Sequence, residues 1–309
     1  MSRIRRSRPA LRPSSDRYVS PLTTSFAALV PGSAGDPRRA MRLAIKAALP
    51  HKRIVQLEER LLWLRHKRHI RDVRDSSEIE GDGRLEPLGT SYEDGFDVLV
   101  SKAGSPTRQL FTLAHELCHT FFYELVPRVK FSPHREDPCE ERLCNAGASE
   151  ILMPRWQVED AVLGSRRGTW QAGDSRDAIT SLATLNELAR QFQVSTAAMM
   201  SRLRHLSLSR CRLHVWHRSN SGAFLFPGSA RSADAWSSMT THVERAWRTG
   251  TTVCGHEYLE SVDESGVRRV CKISYEARAQ SNRIYVLWCN GGLRRESPKS
   301  LFSKTSGFA

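Results

Sequence analysis

Two histidines and a glutamate in this chain stand at a spacing that could hold a metal ion. His115, Glu116 and His119 form the pattern H-E-x-x-H. Because residues four apart lie on one face of a helix, both imidazoles can reach one Zn²⁺ while the glutamate faces a metal-bound water. Such a site activates water for hydrolysis. The same pattern also arises by chance in ordinary cores, so its surroundings must decide.

The residues around the motif favour a buried helix. Ser105 can cap this helix, and Pro106 suits its first turn. Apolar side chains cover much of its circumference, which predicts burial: Leu110, Phe111, Ala114, Leu117, Cys118, Phe121, Phe122 and Leu125. Buried polar groups without partners cost several kcal/mol. Two histidines and a glutamate in such a helix therefore favour a functional site over a chance match.

A catalytic zinc takes three protein ligands and keeps its fourth position for water, so a third ligand is needed. Residues 137–153 are predicted to form a second helix, with Pro138 at its start and Pro154 after its end. Glu140 and Glu141 lie 21 and 22 residues beyond the second histidine, far enough for the chain to return. They are about 100° apart on the helix. Spacing alone leaves each of them open as a ligand or as part of a solvated face.

These motifs resemble the ImmA/IrrE family of bacterial metallopeptidases, whose pattern runs R-x-x-F-T-x-A-H-E-x-x-H, then E-x-x-x-N and L-M-P. The matching positions are Arg108, Phe111, Thr112, Ala114, His115, Glu116, His119, Glu141, Asn145, Leu152, Met153 and Pro154. The run Leu143–Ala148 is similar in particular to the IrrE-type radiation-response regulators of Deinococcus. The chain departs from the family at Cys118, where many members carry glycine; a small buried residue is the interpretation we favour there.

The resemblance implies a fold, a ligand set and a reaction. In that family the glutamate four residues before the asparagine binds the metal, which selects Glu141 over Glu140. His115, His119 and Glu141 are then the ligands of Zn²⁺, with Mn²⁺ as a substitute in vitro, and Glu116 is the general base. The implied function is site-specific cleavage of a helix-turn-helix (XRE-type) repressor, which derepresses stress or DNA-damage response genes.

Two aspects of this function stay open at the level of sequence. A donor for the oxyanion is required, and four residues could supply it: Tyr92, Tyr123, His134 and Arg155. The alternative function is a non-catalytic transcription regulator with a structural zinc site, which binds DNA or the repressor without cutting it.

Charge and composition bear on that alternative. The 309-residue chain has a net charge of +14, and residues 1–72 hold 17 Lys or Arg against 5 Asp or Glu. The basic excess therefore lies ahead of the metal motif, where it could serve DNA binding. Residues 1–40, rich in Arg, Ser and Pro, are predicted to be a disordered basic extension.

The cysteines and the apolar runs predict where the protein resides. Seven cysteines without a C-x-x-C pair indicate reduced thiols in a cytoplasmic protein. No apolar run approaches the roughly 18 residues that a membrane-spanning helix needs, and no secretory signal is visible. We therefore expect no membrane partner.

The remaining segments complete an α+β domain order. Residues 41–157 are predicted to form a zincin-like metallopeptidase domain, in which short strands precede the metal helix and one could bind substrate backbone. Residues 158–208 are predicted to form a helix-turn-helix-like domain. Residues 209–293 are predicted to form an α+β domain, and the resemblance to IrrE-type proteins implies that it is a GAF-like sensor domain for an unknown small ligand. Residues 294–309 are predicted to be a flexible tail. Within the sensor domain, His214 and His217 lie three apart on a strand and should face opposite sides, which argues against a metal pair.

Overall fold

The computed structural model describes residues 18–49, 56–125, 137–166, 181–219, 224–225, 237–262, 268–280 and 282–290. The chain forms two compact units, one with the residues up to Val158 and Arg190–Ser195, the other with Glu159–Ala189 and the residues from Thr196 onwards. Both units contain helices, and each has a sheet of its own. The α+β class is therefore confirmed. The predicted tail, residues 294–309, lies outside the described residues.

The first unit places helices around a small sheet. Its elements are α1 (Pro21–Leu29), α2 (Pro37–Ala48), α3 (Leu57–Lys67), β1 (Ile70–Ser76), β2 (Gly83–Pro87), β3 (Phe96–Ser101), α4 (Pro106–Leu125) and α5 (Pro138–Leu152). The strand order is β1-β3-β2, with β1 parallel and β2 antiparallel to the central strand. The sheet thus has β2 at one edge, and α4 follows directly from its central strand.

Helices α4 and α5 form where the sequence predicts them. The hydroxyl of Ser105 accepts a hydrogen bond from the backbone N–H of Arg108 at 3.4 Å, and Asp137 caps α5 in the same way. The two helices pack together closely at Gly147. A Cβ built there would lie 2.6 Å from the sulfur of Cys118, so only a glycine allows this approach. Cys118 itself is fully buried, as the sequence indicates.

The predicted disorder of residues 1–40 is wrong for residues 18–40, while residues 1–17 lie outside the described residues. Helix α1 and the first turn of α2 occupy this stretch. Phe26 is fully buried, and its ring centroid lies 4.6 Å from that of Phe122 on α4. Helix α1 is therefore part of the core that supports the metal-motif helix.

The prediction of disorder failed because it took serine and proline as signs of disorder, whereas in this stretch they stand at the start of helices. Ser20 caps α1 and Asp36 caps α2, and each is followed by a proline at the first helical position. These are favourable N-terminal signals. The few apolar side chains of α1 could not form a core alone, but they complete one that α4 provides.

The second unit packs helices on a larger sheet. Its elements are the later part of α6 (Arg155–Arg166), most of α7 (Leu182–Gln191), α8 (Thr196–His205), β4 (Arg212–Arg218), β5 (Phe224–Leu225), α9 (Ser237–Thr249), β6 (Val253–Val262), β7 (Arg268–Gln280) and β8 (Arg283–Asn290). The strand order is β5-β4-β8-β7-β6, and all neighbours are antiparallel. Helix α9 buries Val243 and Ala246 against this sheet. The helix-turn-helix-like and GAF-like assignments remain predictions.

The prediction that all cysteines are reduced is wrong for one pair. Cys211 and Cys289 form a disulfide. Since Arg212 of β4 pairs with Trp288 of β8, the antiparallel register brings the two cysteines opposite each other, with their Cα atoms 4.2 Å apart. Their separation of 78 residues hides this contact in the sequence. Among the described residues, no helix is long and apolar enough to cross a bilayer.

Candidate metal centre

Helices α4 and α5 bring the three predicted ligands together. The Nε2 atoms of His115 and His119 lie 3.1 Å apart. The carboxylate of Glu141 lies 3.1 Å from Nε2 of His115 and 3.3 Å from Nε2 of His119. The two Glu141 distances belong to different oxygens, Oε2 for His115 and Oε1 for His119, so the carboxylate spans both imidazoles and the three side chains face a common point.

The spacing of these atoms fits a metal ion. A zinc ion with ligands at roughly 2.0–2.2 Å in tetrahedral geometry separates neighbouring ligand atoms by about 3.3–3.6 Å. The separations of 3.1 to 3.3 Å between the imidazole Nε2 atoms and the carboxylate oxygens are close to that spacing. The donor set of two imidazoles and one carboxylate leaves a fourth position for water, as a hydrolytic site requires.

The contacts of the two Nδ1 atoms explain why the Nε2 atoms of both imidazoles face the same point. Nδ1 of His115 lies 3.1 Å from the amide oxygen of Asn145, and Nδ1 of His119 lies 2.8 Å from the carboxylate of Glu140. These oxygens only accept hydrogen bonds, so with a metal ion bound each Nδ1 would carry the proton and each Nε2 would present its lone pair to the metal. Together with Glu141, three electron-pair donors meet at one point. A cation there relieves their mutual repulsion.

The structure thus places both glutamates that the spacing left open, one on each side of His119. Glu141 reaches the Nε2 side, as the family resemblance implies, and Glu140 reaches the Nδ1 side. Sequence reasoning found Asn145 only as part of a motif and gave it no role. The contact of Glu140 was missed, since a glutamate in the first turn of a helix is ordinarily solvated.

Burial and hydrogen bonding tune the carboxylates at the site. Burial opposes ionisation of Glu141, but the hydrogen bonds with His115 and His119 outweigh it and lower its pKa. For Glu116, burial dominates and raises the pKa, while the neighbouring histidines and the backbone N–H of Leu85 oppose the rise. Glu116 is 7% exposed. A glutamate with a raised pKa accepts a proton more readily at neutral pH than an ordinary one.

Strand β2 lies directly against the metal-motif helix. A Cβ built on Gly83 would come within 2.2 Å of the Thr112 methyl and 3.2 Å of the Glu116 carboxylate. The glycine therefore permits the close approach that lets Leu85 bind Glu116 through its amide. Just before β2, Asp82 pairs with Arg108 of α4. This ion pair ties the start of the strand to the start of the helix.

The predicted oxyanion donors are only partly placed. Tyr92 and Tyr123 pack around Phe96, with ring centroids 5.9 and 5.4 Å from it, and burial raises the pKa of Tyr92 to about 12. Arg155 is exposed at the start of α6. His134 lies outside the described residues. The oxyanion role therefore stays unassigned.

Comparison with known proteins agrees with this site. Residues 84–204 match the family Peptidase_M78, described as the IrrE N-terminal-like domain. The radiation response metalloprotease IrrE of Deinococcus radiodurans is 37% identical to this chain over 84 residues, which are 24% of this chain and 25% of that relative. The chain thus spans about a quarter of the length of the relative that it matches. The resemblance to the ImmA/IrrE family is confirmed: residues 84–204 are similar to the IrrE N-terminal-like domain.

Proposed function

We propose that this protein is a zinc-dependent endopeptidase that cleaves a helix-turn-helix transcriptional repressor. In this proposal His115, His119 and Glu141 hold Zn²⁺, and Glu116 is the general base. The observation that carries it is the convergence of three electron-pair donors at tetrahedral spacing beside a buried glutamate. The match of the surrounding residues to a metallopeptidase family supports the same conclusion.

The residues of the site divide the chemistry between them. A bound zinc supplies Lewis acidity, which lowers the pKa of water to about 7 and polarises the scissile carbonyl. Glu116 takes the proton of the attacking water on its carboxylate and passes it to the leaving amine. The Leu85 N–H of β2 favours the ionised form of that carboxylate, which is the form that accepts the proton.

The outer edge of β2 is where we infer that the substrate binds. The carbonyl of Asp82 accepts from Ser101, and the N–H of Leu88 donates to Gly95. Since antiparallel strands alternate, the backbones of Gly83 and Leu85 point away from β3. A peptide could add to this edge as a further strand, through main-chain hydrogen bonds with Gly83 and the carbonyl of Leu85, since the Leu85 N–H is directed to Glu116. Such a strand would pass beside Glu116.

The identity of the substrate rests on the family resemblance. A repressor whose cleavage turns on stress genes suits a slow, specific regulatory peptidase in the cytoplasm. The Deinococcus relative is a radiation response metalloprotease, which extends this inference to DNA damage. A small ligand that acts on the second unit, through a GAF-like fold, would provide the activating signal. Direct DNA binding by the α7–α8 pair is not needed for this function.

The decisive experiment replaces the general base. A helix-turn-helix repressor encoded in the same genome is incubated with zinc and either the wild type, Glu116→Gln or Glu124→Gln. Glu124 lies on α4, pairs with Arg68 and serves as the matched control. We expect one discrete pair of fragments from the wild type and the control, and cleavage slower by about 10²–10⁴-fold from Glu116→Gln. Zinc content should be unchanged in all three.

Two results would contradict the proposal. Equal cleavage by Glu116→Gln would show that this glutamate is not the base. A wild type that binds zinc and retains the repressor without cutting it would favour a non-catalytic regulator. Salt-dependent binding to a promoter fragment, unchanged by Glu116→Gln, would point to DNA as its partner.

A further inference from the structure

Glu140 is the most deeply buried carboxylate beside the metal centre. Its side chain is 1% exposed, and one carboxylate oxygen lies 2.8 Å from Nδ1 of His119. Glu141, the next residue, contacts the opposite nitrogen of the same imidazole. Two consecutive glutamates of α5 therefore hold the two sides of one histidine, and only one of them faces the metal point.

We propose that Glu140 is a positioning residue of the metal centre, which acts through His119. Its carboxylate accepts the Nδ1 proton, so it fixes the tautomer that presents Nε2 to the metal and holds the ring in that orientation. A negative partner also makes the imidazole a stronger electron donor. This inference rests on the proposed metal site, and it concerns the affinity and geometry of that site.

The position of Glu140 in α5 explains how a carboxylate can be kept in the core. It is the third residue of the helix, and its backbone N–H points to the capping carboxylate of Asp137 at 3.4 Å. The N-terminus of a helix carries a partial positive charge, which stabilises a carboxylate there. Burial of an ionised group without such compensation would be costly. The helix end and the imidazole N–H supply it together.

The contact between His115 and Asn145 provides an internal comparison. Both histidines use Nε2 towards the metal point and Nδ1 towards a side chain of α5. However, the partner of His115 is a neutral amide, whereas that of His119 is a carboxylate. We therefore expect His119 to depend more on its partner than His115 does, because hydrogen bonds to charged groups are stronger.

A second arrangement of the same atoms must be distinguished. His119, Glu140 and Cys144 each offer a ligand atom, and these atoms lie within 4.8 Å of one another. A second metal ion there would require His119 to bridge two metals through both nitrogens. In the positioning role, by contrast, the Nδ1 proton remains and one ion binds per chain. Metal stoichiometry separates the two arrangements.

The test measures zinc affinity by competition with a chromophoric chelator, together with the visible absorption spectrum of the Co²⁺-substituted protein. The variants are Glu140→Ala, the nearly isosteric Glu140→Gln, Asn145→Ala and the control Glu124→Gln. We expect one ion per wild-type chain and a 10–100-fold loss of zinc affinity for Glu140→Ala. Glu140→Gln keeps an accepting oxygen and should lose less, as should Asn145→Ala. The cobalt spectrum should shift for Glu140→Ala and stay unchanged for Glu124→Gln.

Three outcomes would overturn the inference, each in a distinct way. Unchanged zinc affinity and cobalt spectrum in both Glu140 variants would show a purely structural role, even if thermal stability fell. Two ions per wild-type chain, with one lost in Glu140→Ala, would show a second metal site instead. Failure of the wild type to bind zinc would remove the proposed function itself, which the other two outcomes leave intact.

Discussion

The chain contains two pairs of nearby histidines, and the structure gives them opposite environments. His115 and His119, four apart on helix α4, bring their Nε2 atoms to 3.1 Å. His214 and His217, three apart on strand β4, lie on opposite faces of the sheet of the second unit. His214 instead stacks on Trp288, with ring centroids 5.7 Å apart.

The difference shows that spacing acquires chemical meaning only through the secondary structure that carries it. The two rings of the helical pair are also contacted by side chains of α5, namely Glu140, Glu141 and Asn145. The strand pair has an aromatic and apolar setting: Trp216, Val286 and Trp288 are buried on the His214 face. The environment of the first pair therefore suits a metal ion, and that of the second pair suits packing.

The sharpest way to break this comparison is to remove one histidine from each pair. His119→Ala deletes one of three ligands together with the proton donor to Glu140, so stoichiometric zinc binding and peptidase activity should fall to background. His214→Ala should leave zinc content unchanged. Metal analysis of the purified proteins after dialysis measures both. Zinc lost from His214→Ala, or kept by His119→Ala, would reverse the assignment of the two pairs.

The support beneath the helical pair provides the next test. Phe26→Ala removes a fully buried ring that packs on Phe122 of α4, and should lower the free energy of unfolding by about 3–5 kcal/mol. Leu29 lies on the same helix but is 49% exposed, so Leu29→Ala should change the free energy of unfolding by only about 0.5 kcal/mol. Chemical denaturation compares the variants. Equal, small effects would mean that α1 does not support the site.

Strand β2 gives a test that leaves the ligands untouched. Gly83→Ala places a Cβ 2.2 Å from Thr112 and 3.2 Å from Glu116, so the strand must move away from the base. Because misplacement of a reacting group by about 1 Å can cost about 100-fold in rate, we expect a loss of that order with zinc affinity retained. Gly104→Ala meets its nearest neighbour at an ordinary 3.4 Å and is the matched control. Full activity of Gly83→Ala would exclude β2 from the site.

Sequence alone predicts the features of this molecule that are local. Helices α4 and α5 follow from their caps, prolines and apolar periodicity, and Glu141 follows from its distance to Asn145 in a family pattern. The α+β class follows from strand-like segments that alternate with helical ones. Each of these signals lies within about 20 residues of the feature that it predicts.

The features that sequence reasoning missed depend on contacts between distant segments. Helix α1 is stabilised by Phe122, nearly a hundred residues away, and its composition alone indicates disorder. The pairing of Cys211 with Cys289 depends on the register of two strands. The contact of Glu140 with His119 depends on how α5 crosses α4, since a rotation of the helix would return that glutamate to solvent.

The smallest expected effect concerns His214, the histidine of the strand pair that stacks on Trp288. Burial, with Arg212 and Arg204 nearby, lowers the pKa of His214 to about 4, against roughly 6.5 for an unfolded imidazole. As the pH falls below 6.5, the unfolded chain takes up this proton before the folded protein does. The contribution of His214 to the free energy of unfolding is therefore complete above pH 6.5 and is lost between pH 6.5 and 4. Because the side chain is only partly buried, the loss should be on the order of 2 kcal/mol.

A variant isolates this contribution from all other acid effects. His214→Phe keeps a ring against Trp288 but cannot titrate, so its unfolding free energy should depend less steeply on pH between 6.5 and 4 than that of the wild type. Thermal or denaturant unfolding at pH 4, 5, 6 and 7 gives both curves. Parallel curves would mean that His214 is protonated as readily in the folded protein as in the unfolded chain. The packing environment assigned to the strand pair would then be wrong, and the contrast with the helical pair would rest on geometry alone.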